Sequence, residues 1–308
     1  MNKEMTSINS DLKKRELVEK SAEHILRFLS IVSIIAVIVI TGYMLMAGTP
    51  ALLKYGIFDI LFGTVWQPTS SNPSFGILYV ILTSIVGVTI AVIIAVPIGL
   101  LTAIHLSEIA TRRSSKWMKT AIELLAGIPS IVYGLLGVQI INPIIYQLEL
   151  LIFKNSATHQ FTGGSNLLAA ILVLVIMILP TLISVSENAL RAVPNNYRTS
   201  SLALGASKMQ TIFKVILPSA KSGIISAIVL GIGRAMGEAM AIVLVAGNTI
   251  HIPLPFSSVR FLTTAIVSEM GYAQGAHREV LFTIGLVLFL FIMLINVMLS
   301  AVLKRGEE

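Results

Sequence analysis

The sequence predicts an all-α integral membrane protein with six transmembrane helices, and three observations carry that prediction. The 308 residues are 55% hydrophobic and only 12% charged, with a mean hydropathy of +0.88, too apolar and too charge-poor for an ordinary soluble domain. Six apolar stretches reach the about 20 residues a helix needs to cross the hydrocarbon. Lysines and arginines crowd into alternate connecting segments, the pattern that orients membrane helices.

Taken in order, residues 1–24 are polar and mixed in charge, unlike the short basic start of a cleaved signal peptide. They form a cytoplasmic N-terminal segment, and the first span, residues 25–47, is expected to stay in the protein. Residues 48–74 are turn-rich, with Pro50, Pro68, Asn72 and Pro73 as breakers and Trp66 suited to an interface. This external loop joins one peripheral helix to a five-helix core over residues 75–303, followed by a short tail, 304–308. The core spans are expected at Phe75–Ile104, Lys119–Ile141, Leu167–Val185, Gly223–Gly247 and Val280–Leu303.

Pro97, Pro129 and Pro180 fall inside the second, third and fourth spans, and Gly127 precedes Pro129. A proline removes an intrahelical hydrogen bond, so these positions are expected as kinks that either pack statically or serve as hinges. Residues 186–222 are longer than a mere connector needs. Pro194-Asn195 opens this segment, Tyr197–Ala206 and Ser207–Ile216 have helical composition, Gly205 interrupts them, and Leu217-Pro218 closes it. Two short surface helices are expected there. In the outer loop Asn248–Arg278, the apolar piece Val259–Met270 is too short to span and is expected as a re-entrant or interfacial helix.

Orientation follows from the basic residues. Those of the N-terminal segment, of the second loop (Arg112, Arg113, Lys116, Lys119), of the fourth (Arg191, Arg198, Lys208, Lys214, Lys221) and of the tail lie on one side. The alternate loops hold only Lys54, Lys154, Arg260 and Arg278. Both termini are therefore expected in the cytoplasm. The same distribution accounts for the net charge of +7 without a nucleic-acid partner; the lipid bilayer is the expected partner.

With no cysteine, thiol chemistry and disulfides are excluded. His24, His105, His159, His251 and His277 are scattered without metal-site spacing. No phosphate-binding loop of the form G-x-x-x-x-G-K-[ST] occurs, so the chain is expected to bind no ATP of its own. Neither H-E-x-x-H nor G-x-S-x-G is present, and catalysis in this polypeptide is not expected.

The most informative pair is Arg234 and Glu238, inside the fifth apolar stretch. A charge near the centre of a membrane helix costs about 2.5–3.5 kcal/mol on insertion scales, so it is expected to face protein or an aqueous path. On a continuous helix the two residues lie one turn apart on one face, where guanidinium and carboxylate can meet. Gly231, Gly233 and Gly237 remove bulk around them, for close helix approach or for a small ion. A guanidinium matches the oxygens of a phosphate group. Glu238 is a candidate acceptor for the proton of a protonated phosphate, a proton that sulfate lacks at neutral pH. The bland alternative is mutual neutralisation for insertion alone.

Permease subunits of ABC importers carry, in the cytoplasmic loop, E-A-A, three residues, glycine, nine residues, I-x-L-P. Here Gly205 is followed at that spacing by Val215-Ile216-Leu217-Pro218, while Thr199-Ser200-Ser201 replaces E-A-A. Leu202-Ala203-Leu204-Gly205-Ala206-Ser207 resembles the helix-turn-helix with which that family docks on its ATPase. The segments Gly231-Ile-Gly233-Arg234-Ala-Met-Gly237-Glu238, Val243 to Asn248, Gly63 to Pro68, Phe75 to Leu78, Ala95 to Leu100, Leu106-Ser107-Glu108 and Glu123 to Tyr133 resemble the C-type permeases of Pst phosphate-specific importers.

This resemblance implies a type I ABC importer permease fold and a cell-membrane location. It implies pairing with an A-type permease, two copies of a cytoplasmic ATPase that bind ATP and Mg, and an external phosphate-binding protein. It also implies a substrate path at Arg234 and Glu238, and an ATPase coupling loop containing Leu202, Ala203, Gly205, Ala206, Leu217 and Pro218. Importers of molybdate or sulfate are the alternative within the class. An ion-coupled secondary transporter, with the Arg/Glu pair as a proton relay, or a membrane scaffold without transport, are the alternatives outside it.

Overall fold

A computed structural model describes residues 2–156 and 158–305, with side chains described for 19–156, 158–298 and 301. The chain is almost wholly helical: α1 (Asn2–Tyr55), α2 (Ile57–Phe62), α3 (Leu78–Ile104), α4 (Arg112–Ala126), α5 (Ser130–Leu136), α6 (Asn142–Ile152) and α7 (Leu167–Ala192) come first. After them come α8 (Asn195–Ala203), α9 (Lys208–Thr211), α10 (Leu217–Ser219), α11 (Lys221–Gly237), α12 (Met240–Val245), α13 (Leu262–Glu269) and α14 (Gly275–Arg305). Among the described residues, five helical stretches are long and apolar enough to cross a membrane: 19–55, 78–109, 130–152, 167–192 and 275–298. A sixth is a broken one, Lys208–Ser219 meeting Lys221–Gly237 at 69°.

The centre is α7, whose Leu174, Met177, Ile178 and Leu182 are buried against α3 and α11. Small residues recur on the α3 face at Gly87, Ala91, Ala95 and Gly99, which lets the backbones approach. A Cβ at Gly99 would sit 3.1 Å from the Leu182 Cβ. Helix α1 lies outside this core; its C-terminal half packs on α14, and its end, through Ala51 and Tyr55, reaches α2 and Phe75. Thr283 Oγ1 donates to the Gly48 carbonyl at 2.7 Å, and Tyr43 meets Phe282 edge-on with ring centroids 5.9 Å apart. The remaining apolar surface of α1, Ile25 to Ile40, is exposed, as a lipid-facing helix requires.

Several expected boundaries shift. The third span is not Lys119–Ile141 but residues 130–152. Gly127 ends α4, and Pro129, with no N–H to continue the ladder, starts α5. Tyr133 braces this joint by donating its hydroxyl to the Leu125 carbonyl at 2.7 Å. Helix α7 continues past Val185 to Ala192, because Glu187 at its end is neutralised by Lys119 and Arg191. The fifth span stops at Gly237 instead of running to Gly247. In the external loop, α1 continues through Pro50 to Tyr55, and Trp66–Gln67 pairs antiparallel with Ser74–Phe75 as β1 and β2. Gly63 and Gly76 cross there so closely that a Cβ on Gly76 would lie 2.3 Å from the Gly63 carbonyl carbon. The piece expected at Val259–Met270 is α13, buried on Leu262, Thr263, Thr264 and Ala265 and too short to span.

Candidate functional site

Arg234 sits in the last turn of α11, and the helix ends three residues later with Glu238 in an extended conformation, φ −74° and ψ 126°. The break has two causes, one of them long-range. Thr263, from α13, donates its hydroxyl to the Glu238 carbonyl at 2.7 Å, and the Glu238 carboxylate accepts the Ala241 N–H at 3.0 Å, at the start of α12. Glu238 thereby serves the orphan amides of a new helix.

Arg234 and Glu238 consequently do not share a helical face, and they form no ion pair. The expected meeting of guanidinium and carboxylate, which presumed a continuous helix, is corrected here. Arg234 Nη1 instead donates to Thr181 Oγ1 at 3.1 Å. Arg234 also lines a cavity of about 520 Å³, together with Thr181, Ser226, Val229, Leu230, Gly233 and Asn296. Of the three motif glycines, Gly231 packs on Leu182, whereas a Cβ at Gly233 or Gly237 would meet nothing within 4 Å. The latter two therefore leave room, and only Gly231 serves close approach.

Thr181, Ser226 and Asn296 escaped the sequence reading. Asn296 carried a signal, a lone amide within Leu294-Ile-Asn296-Val-Met298, since a polar group at membrane depth is expected to face protein or water. Thr181 follows Pro180, a buried hinge candidate inside α7. Pro97 is the corresponding hinge candidate inside α3, which continues through it, and is exposed. Gly127 and Pro129 form the α4–α5 joint described above.

The segment after α7 folds as α8, a turn and α9. Leu202 and Ala203 end α8, and Gly205 turns the chain with φ +84°, a conformation that favours glycine. Its N–H bonds to the Leu202 carbonyl at 3.0 Å, and that of Ala206 to the Ser201 carbonyl at 3.2 Å. Ser207 and Gln210 cap α9 reciprocally. Leu217 is half-buried and Pro218 exposed in α10, just before the 69° bend at Ala220. Tyr197, Leu202, Leu204, Met209 and Phe213 expose apolar surface here.

One ion pair fastens this segment to the core, and a second cluster ties the end of α7 to α4. Arg198 of α8 grips Glu108 bidentately, at 2.6 and 3.1 Å, and also donates to the carbonyls of Val193 and Leu190 at 2.7 and 2.9 Å. The hydrogen bonds to Glu108 raise the Arg198 pKa against an opposing effect of burial. Glu108 lies in a π-helical extension of α3, His105–Ile109. Glu187 of α7 takes Lys119 of α4 at 3.1 Å and Arg191 at 2.6 Å. At the opposite end, Glu269 is buried and accepts from Arg260, from His277 at 2.7 Å and from Trp66 at 3.2 Å. Arg260 also donates twice to the carbonyl of Asn248. Gly247 has φ +85°, and a Cβ there would lie 2.1 Å from Ser258 Oγ, so the Gly247-Asn248 ending of the motif has a steric basis. Glu149, fully buried, accepts from His159 at 2.8 Å and from the Thr162 N–H at 3.0 Å. Partners that only the fold brings near, Lys119 for Glu187, His159 for Glu149 and Trp66 for Glu269, were not visible in the sequence, and Glu108 was legible only as part of Leu106-Ser107-Glu108.

Comparison with known proteins places this geometry in a family. The sequence profile described as "Binding-protein-dependent transport system inner membrane component" matches residues 95–306. The chain is 38% identical to the probable ABC transporter permease protein YqgH of Bacillus subtilis, over 97% of this chain and 98% of the relative. It is 34% identical to the phosphate transport system permease protein PstC of Pasteurella multocida, over 82% of this chain and 81% of that one. Among solved structures, a bacterial alginate ABC transporter in complex with its periplasmic protein superposes with a TM-score of 0.64 at 15% identity, over 91% of this chain and 94% of that one. The inward-facing MetNI methionine ABC transporter gives 0.54 at 21% identity, over 75% and 94%. At those identities the two structures speak to the fold alone, that of a type I ABC importer permease. The chain belongs to the family of binding-protein-dependent transport system inner membrane components, as a multi-pass, C-type, PstC-like permease subunit of the ABC importers.

Proposed function

We propose that this chain conducts inorganic phosphate into the cell as one half of a permease pair, with both termini cytoplasmic, driven by a separate ATPase. The single observation that carries the reading is Arg234. It is a cation inside a membrane span that no carboxylate neutralises among the described residues, and it lines a cavity whose other polar groups are neutral. A buried charge left without a counter-ion is costly, so its place is explained by an anion that visits it. A guanidinium offers planar paired donors suited to a phosphate group. The phosphate transport names of several relatives support the same ion.

In this reading the A-type permease supplies the facing wall, since Ser226 and Asn296 are exposed on this chain and polar groups at this depth do not face lipid. Leu202, Ala203, Gly205 and Ala206 present the surface that docks into one of the two ATPase copies, and Leu217 and Pro218 carry its movement to α11. ATP and Mg are held by that subunit. An external phosphate-binding protein docks on the loops around β1–β2 and α13, and the site alternates between the two sides of the membrane. Glu238 contributes by keeping the span broken beside the cavity.

The test is uptake by a reconstituted permease–ATPase complex with its binding protein. Uptake that requires ATP hydrolysis, prefers phosphate and arsenate to sulfate and molybdate, and vanishes in Arg234→Met while the complex still assembles is the expected result. Intact phosphate uptake in Arg234→Met, or uptake indifferent to ATP, refutes the proposal.

A further inference from the structure

We infer that Asn296, rather than Glu238, supplies the group with which the Arg234 cavity distinguishes a protonated tetrahedral oxyanion from one that has no proton, while Thr181 holds the guanidinium in place. The inference rests on the phosphate-path reading above and specifies how that site selects.

Discrimination between phosphate and sulfate at neutral pH needs an acceptor for a P–OH hydrogen, close to the cation that holds the charged oxygens. The Glu238 carboxylate is not placed for it. It belongs to the break between α11 and α12, where Oε1 takes the Ala241 N–H, and it does not line the Arg234 cavity. The cavity is lined by Thr181, Ser226, Arg234 and Asn296, from three different helices. Ser226 Oγ already donates to the Ser222 carbonyl at 2.9 Å, which uses its one proton.

Thr181 Oγ1 accepts from Arg234, so its own hydrogen is free to donate to an anion, while its position fixes the guanidinium. Asn296 has an amide carbonyl that accepts and an amide N–H₂ that donates, and no protein group pairs with it among the described residues. An acceptor and donors on one side chain read a protonated phosphate in both senses. Sulfate offers only acceptors, and it would leave the Asn296 carbonyl facing an oxygen. A neutral amide does this without repelling the anion, as a carboxylate would. Thr181 is a positioning residue in this scheme, and Asn296 is the selective one.

The experiment uses the reconstituted permease–ATPase complex in two ways. In the absence of binding protein, labelled inorganic phosphate is bound and displaced by unlabelled phosphate or by sulfate. With phosphate-loaded binding protein, the phosphate moved per ATP hydrolysed is measured. Wild-type complex is expected to favour phosphate over sulfate by at least about tenfold, the effect of one hydrogen bond to a charged ligand. Asn296→Leu and Asn296→Ala should erase that preference, and Asn296→Gln should restore part of it. Thr181→Val should weaken both anions alike and lower phosphate moved per ATP, with Thr181→Ser close to wild type.

Wild-type complex that does not discriminate, or Asn296 variants that discriminate as wild type does, overturns the inference. So does a loss of discrimination in Glu238→Gln with none in Asn296→Leu. If Arg234→Met binds and moves phosphate normally, the path reading itself falls. If Arg234→Met abolishes both while the Asn296 variants behave as wild type, the path stands and this inference alone is wrong.

Discussion

Replacing Arg198 by methionine should unfasten α8 from the end of α3. The side chain is 20% exposed and that of its partner Glu108 only 8%, so the pair is largely removed from water. Methionine keeps most of the aliphatic volume while deleting the bonds to Glu108, Val193 and Leu190. Removing one partner of a fully buried pair costs about 3–5 kcal/mol, because the other charge is stranded. The partial exposure of Arg198 lets water reach Glu108 and reduces this to about 2–3 kcal/mol. Amides that exchange by local opening should then exchange about 30- to 150-fold faster, at tenfold per 1.4 kcal/mol. Hydrogen exchange on the purified permease should show this increase in α8 and in His105–Ile109, with the α3–α7 contact near Leu174 unchanged. Adding Glu108→Leu should recover part of the protection, since the stranded carboxylate is gone. Unaltered exchange in α8, or an equal rise throughout the chain, would refute the assignment of Arg198 as the fastening between these elements.

Gly247→Ala should lower thermal stability sharply, because a left-handed backbone costs a residue with a Cβ about 1–2 kcal/mol before its collision with Ser258 is counted; fluorescence-detected melting in detergent would measure it. Gly134→Val should act in the membrane interior, where the added carbon would fall 2.8 Å from the Ala241 Cα. Overpacking of about 1–3 kcal/mol is expected, seen as a lower melting temperature, and Gly134→Ala should be milder. Glu269→Gln should loosen the external cluster by leaving Arg260 and His277 without their anion. Proteolysis within residues 48–74 would accelerate in that variant if Trp66 is released with them, and Trp66→Phe should reproduce only a fraction of the effect.

The spans announced themselves through hydropathy, and the exposed α1 was legible as peripheral because a long turn-rich segment separates it from the rest. The helix-turn-helix about Gly205 was also readable, since glycine at a left-handed position, a Ser-x-x-Gln cap and a closing proline are local signals. Gly127-Ile-Pro129 was visible as a disturbance but not as a junction. Whether a proline bends one helix or begins another is decided by what the flanking residues pack against, here Tyr133 reaching back to Leu125. The stop at Gly237 was less legible still. Arg234-Ala-Met-Gly-Glu-Ala-Met contains good helix formers, and it is Thr263, 25 residues away, that claims the Glu238 carbonyl. The same long-range logic hid Thr181 and Asn296, which are unremarkable until three helices converge on one arginine.

The 69° bend at Ala220 makes α11 a lever whose other arm is the α9–α10 segment. From Ala220 to Arg234 the long arm measures about 21 Å at 1.5 Å per residue. A tilt of about 10° at that pivot would swing the guanidinium by about 4 Å, on the scale of a small oxyanion's diameter. A modest rocking at the membrane surface is thus carried through the pivot into a displacement that can take the cation off its ligand.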